Sequence, residues 1–160
     1  MTVFRSSKDA VIFSLDAAER RLFVEILNLY PVVPEAYQPL SRSLEEKVTR
    51  EDQQLLNEAL AEQRSAHRQK IKEWLSTTNR FRHVDSGFNF TLRRIDAEWL
   101  LQALNDIRVG CWLLLGSPDN HMGADDLQPL DPALHRTWAA MELSGMFQME
   151  ILHGLEGSLE

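Results

Sequence analysis

The chain has 160 residues, 44% of them hydrophobic, which suffices for one sizeable core and predicts a single domain. Its formal charge of −7, from 17 basic against 24 acidic side chains, argues against a surface built to neutralise phosphates, so nucleic acid is a disfavoured partner. A single cysteine leaves no disulfide framework, and the longest apolar run, VGCWLLLG, falls far short of the ~20 residues of a membrane span.

The N-terminal residues lack the long apolar core and small-residue cleavage site of a secretory signal, so a reducing, cytoplasmic setting without a membrane partner is expected. Two β-favouring runs, VF and AVIFSL, flank the polar RSSKD and read as a hairpin. Asp16 with Glu19 has the form of a capping box, and AAERRLFVEILNLY continues at helical spacing until Pro31 stops it. The proline-rich PVVPEAYQPLSRS is an irregular segment laid over the core. Ser43 with Glu46 and Thr49 with Asp52 are successive N-cap signatures for a long, charge-rich helix over Glu51 to Leu75. Its narrow apolar stripe runs through Leu56, Leu60, His67, Ile71 and Trp74.

NRFRHVDSGFNFTLRRI predicts a second hairpin, with Asp85-Ser86-Gly87 as its turn and Phe88, Phe90 and Leu92 alternating with polar residues. Ile95, Asp96 and Leu100 have the arrangement of a hydrophobic staple around an Asp N-cap, opening a third helix that Gly116 and Pro118 close. SPDNHMGADDLQP is a polar loop. Asp131-Pro132 starts a last helix, which Gly154 is expected to end. No internal repeat or low-complexity segment is present. The expected class is α+β, mainly α: a bundle of about four helices with two short β-hairpins, either paired in one small sheet or capping the bundle. Residues 1–153 would form the domain and residues 154–160 a polar tail.

The third helix poses the main question, because its apolar run carries Asn105, Asp106 and Arg108. At ~100° per residue, Leu100, Leu104, Ile107, Cys111, Leu114 and Leu115 share one wide face, with Arg108 at its edge and Asn105 beside it. Asp106 points elsewhere, with Gln102, Val109 and Leu113, so Asp106 and Arg108 cannot pair with each other. Since Trp99, Val109, Trp112 and Leu113 make the far side apolar too, the helix reads as central and its charges as buried. Two readings follow. The first is a structural clamp, with Arg20, Arg21, Arg93 or Arg94 meeting Asp106 and Glu142 or Glu150 meeting Arg108. The second is a ligand-binding pocket.

LNDIRVGCWLLLG, preceded by AEWL and followed by a helix containing TWAAMEL, resembles a bacterial family known as domain of unknown function 2017. PEAYQP and VTREDQQLLNEAL fall in that family's order, and the resemblance spans roughly Asp16 to Leu152. Its most specific element is LND-x-R, here Leu104, Asn105, Asp106 and Arg108; Trp112 and Leu114 stand where the family carries a glycine and an arginine. The family has no established activity. Its genes often neighbour those of the Clp protease adaptor and glutamate racemase, so the resemblance implies a link to protein turnover or envelope metabolism.

Other chemistry finds little footing. Glu150 and His153 have the i, i+3 spacing of carboxylate-bridged di-iron helices, with Glu142 two turns earlier, but no second Glu-x-x-His exists, so neither metal nor cofactor is expected. DNHMGADDLQPLD lacks the glutamate that a calcium loop needs at its twelfth position. There is no Gly-x-Ser-x-Gly and no phosphate-cradling loop, Cys111 sits in apolar company, and His67 reads as a core histidine, so no catalytic residue is assigned. The second hairpin gathers Arg80, Arg82, Arg93 and Arg94 around Phe81, Phe88 and Phe90, a basic spot suited to an acidic protein partner. The sequence thus favours a non-enzymatic cytoplasmic interaction or regulatory protein, linked through the resemblance to Clp-type turnover and compatible with a homodimer. The alternative is a small-ligand binder or enzyme with its pocket at Asn105, Asp106 and Arg108.

Overall fold

The computed structural model describes residues 1–33, 50–116 and 131–157. In chain order they form β1 (Thr2–Ser6), β2 (Ala10–Leu15), α1 (Ala17–Asn28), α2 (Arg50–Ser76), β3 (Arg82–Val84), β4 (Gly87–Arg93), α3 (Arg94–Leu114) and α4 (Pro132–Glu156). The class is α+β and mainly helical. The two hairpins are joined in one antiparallel sheet of order β1-β2-β4-β3, because β2 pairs with β4 in a register that sets Phe13 opposite Phe90 and Val11 opposite Leu92. The sheet is therefore a layer of the fold and does not merely cap a bundle.

Alternation decides which face of that layer is buried. Val11, Phe13 and Leu15 of β2 and Phe90 and Leu92 of β4 are all almost fully buried, and the Phe13 and Phe90 rings stack at 5.2 Å. Phe23 of α1 stacks on Phe90 at 5.4 Å and meets Phe147 of α4 edge-on at 4.9 Å, while Trp74 of α2 packs edge-on against Phe90 at 5.8 Å. Two helices thus meet on Phe90, and α4 joins them through Phe23. α3 completes the core through Leu100, Leu104, Ile107 and Cys111.

Local signals placed most elements. The capping box forms, with the Asp16 side chain accepting from the Glu19 amide and the Glu19 side chain accepting from the Asp16 amide. Gly87 follows the tight turn at φ 136°, where a Cβ would lie 2.4 Å from the Leu15 carbonyl oxygen, so only glycine fits. Asp131 caps α4 by accepting from the Ala133 amide, with Pro132 in the first turn. The N-cap signatures at Ser43 and Thr49 and the SPDNHMGADDLQP loop lie outside the described residues.

Three expectations are corrected. α4 runs through Gly154 to Glu156, because Gly154 is buried where a Cβ would come within 2.9 Å of Phe13 and Val11. Its glycine admits the sheet and does not stop the helix, so the tail does not begin at residue 154. α3 starts three residues earlier than expected, with Arg93 and not Asp96 as N-cap; Asp96 lies in the first turn, and Ile95 is 81% exposed and staples nothing. On α2, Ile71 and Trp74 are buried but Leu56 and Leu60 are exposed.

Candidate functional site

The polar triplet of α3 is not buried: Asn105, Asp106 and Arg108 are all exposed. The reason lies in the neighbours. α3 is enclosed at Ala97, Leu100, Ala103 and Leu104, but towards its C-terminal end Val109, Trp112 and Leu114 also reach solvent. The internal-clamp reading, which required desolvated charges, loses its premise.

Asn105 and Asp106 instead line a cleft of about 290 Å³. Its walls come from three segments: Tyr30 to Val33 at the end of α1, Leu60, Gln63 and Arg64 of α2, and Asn105, Asp106, Val109, Gly110 and Leu113 of α3. Asn105 thus shares a side with Asp106 and not with Arg108. Arg108 turns away towards α4, where its Cδ lies 3.6 Å from the position a Cβ on Gly145 would take. Gly110 matters to the cleft's shape, since a Cβ there would stand 2.9 Å from Val32.

The polar floor has a definite electrostatic order. The Tyr30 hydroxyl donates a long hydrogen bond of 3.4 Å to Asp106 Oδ2 and stands 3.5 Å from His67 Nδ1. Partial burial of its carboxyl pushes the Asp106 pKa upward, opposed by His67, the Tyr30 hydroxyl and Arg64. Burial, together with the Asp106 charge, pushes Tyr30 up to about 12, so its hydroxyl stays a donor at neutral pH. Arg64 feels Asp106 electrostatically, yet among the described residues it forms no ion pair with it. A carboxylate and a guanidinium therefore line one apolar-walled cleft without closing on each other.

None of the arginines expected to meet Asp106 does so. Arg20 stacks over Phe88 at 4.4 Å, Arg21 sits 3.9 Å from Glu25, Arg93 pairs with Asp96 at 2.6 Å, and Arg94 donates to the carbonyls of Ser7 and Leu155. The same contacts dismantle most of the basic hairpin patch. Arg80 donates to the Trp74 carbonyl at 3.0 Å and lies 4.5 Å over its ring, partial burial lowering its pKa, while Asp96 holds that of Arg93 up. Of the four hairpin arginines, Arg82 alone has no such contact among the described residues. Arg108 likewise meets neither Glu142 nor Glu150 in an ion pair among the described residues.

Elsewhere, Cys111 is buried and its thiol is pushed up to about 11, an unreactive setting. Among the described residues no three His, Cys, Asp or Glu side chains gather as a metal site, and no helix is long and apolar enough to cross a membrane. Sequence reasoning missed Tyr30 and Arg64. The available signal for Tyr30 was its place immediately before Pro31, where the helix must end. No protein-family model, no curated protein and no solved structure matches the chain.

Proposed function

We propose that this protein is a non-enzymatic binding domain whose working site is the cleft between Tyr30, Arg64 and Asp106, and that it takes a small zwitterionic molecule with an apolar tail, of the α-amino-acid type. One observation carries this reading: Asp106 and Arg64 line the same cleft without pairing, between the apolar walls of Val32, Val33, Leu60, Val109 and Leu113. An ammonium would face Asp106, a carboxylate would face Arg64, and the tail would cover the walls, as suits a mostly apolar pocket with a few convergent polar groups. The resemblance to domain of unknown function 2017 enters the same reading, since its LND-x-R element supplies Asn105 and Asp106. A Clp-linked partner finds less support, because most of the arginines that would steer it are engaged within the domain.

Calorimetric titration with the apolar amino acids and their methyl esters tests this. Binding that is lost in both Asp106→Asn and Arg64→Met, and weakened by esterifying the carboxylate, supports the proposal. Binding indifferent to both substitutions, or none across the panel, would refute it.

A further inference from the structure

α4 buries one apolar face and exposes three large apolar side chains on the other. Ala140, Ser144, Phe147, Ile151 and Gly154 face the core, whereas Met146 is 60% exposed, Met149 72% and Leu152 46% on the other side. The outward residues Glu142, Met146, Met149, His153 and Glu156 also keep the alternating spacings of four and three found along a coiled-coil seam, with methionine at two central positions and charged or polar residues flanking them.

We propose that this face of α4 joins two copies of the chain in an antiparallel helix pair. The seam selects that arrangement by charge. With Met146 of one protomer against Met149 of the other, the same register sets Glu142 against His153 at both ends, acid facing an imidazole that can donate to it. A parallel pair would align Glu142 with Glu142 and Glu156 with Glu156. Methionine suits such a seam, being flexible enough to fill an irregular gap. The inference is independent of the cleft, which lies on the side of α3 that faces α2.

The seam spans only Glu142 to Glu156, so the dimer should be weak, with a dissociation constant on the order of 10–100 μM given how small the contact is beside a standard interface. Sedimentation velocity on the full chain, from about 5 to about 500 μM to bracket that range, provides the test. The wild type should shift from monomer to dimer, while Met149→Asp should remain monomeric with an unchanged circular dichroism spectrum. His153→Glu should also be monomeric, by placing two glutamates together, and Glu142→Lys added to it should restore dimers. A wild type monomeric throughout, dimers that survive Met149→Asp, or a double variant that fails to recover would each overturn the proposal.

Discussion

At the scale of single residues, exposure decides what a charge is worth. Stranding a partner of a buried charge would cost about 3 kcal/mol or more, whereas exposed substitutions usually stay within about 0.5 kcal/mol. Asp106→Asn and Arg108→Met should therefore both denature near the wild-type midpoint in urea; a large loss in either would restore the clamp. Asp106 adds a pH signature. Its folded pKa is raised from 3.8, so the native state holds the proton more tightly than the unfolded state does, and stability falls as pH rises from 3.8 through the folded value. Asp106→Asn should flatten that slope. Tyr30 acts with the same sign at the alkaline end: between about 10 and about 12 the unfolded chain loses the proton and the native state keeps it, so stability is lost as pH rises. Spectrophotometric titration of Tyr37→Phe, which leaves Tyr30 as the only tyrosine, should show ionisation near 12, and adding Asp106→Asn should lower it. Among the arginines, Arg80→Ala should destabilise by about 1 kcal/mol through its lost hydrogen bond and ring contact, while Arg82→Ala should not.

At the scale of elements, two glycines mark where backbones come close. Gly154→Ala forces a Cβ against Phe13 and Val11 at 2.9 Å and should cost about 1–3 kcal/mol, measured by chemical denaturation, because that part of the core cannot yield. Gly110→Ala presses instead on Val32 and Val33 at the cleft wall, so ligand affinity should fall more than stability. Neither role was legible from sequence, where Gly154 ahead of the polar tail LEGSLE reads as a helix end. What was legible was local. The Asp16 box, the Asp131-Pro132 start, the alternation of Phe88, Phe90 and Leu92 and the spacing of the α3 core residues each follow from a few neighbours in the chain. What failed was non-local. Whether Leu56, Leu60 or Arg108 is covered depends on where other helices end, and a helical wheel carries no such information. The α3 triplet shows both sides: its residues were singled out by polarity within an apolar run, but Asn105 and Asp106 were parted from Arg108 only by the placement of α1 and α2.

At the scale of the whole molecule, the sheet and the helices over Phe90 form a rigid base, and the cleft is built at its edge by the ends of that base. Truncating Phe90 to alanine should cost about 3–5 kcal/mol, as for other large buried rings, a large share of a domain's usual stability of about 5–15 kcal/mol, read as a lowered midpoint in urea. The cleft variants should leave that base intact, which makes their effect on binding readable. The most direct test of the central claim is amide chemical-shift mapping during titration with an apolar amino acid such as leucine or phenylalanine. Shifts should cluster at Tyr30 to Val33, Gln63, Arg64 and Asn105 to Gly110, and vanish in Asp106→Asn. Shifts centred on another surface, or a cleft that stays silent at saturating ligand while the fold is intact, would contradict it.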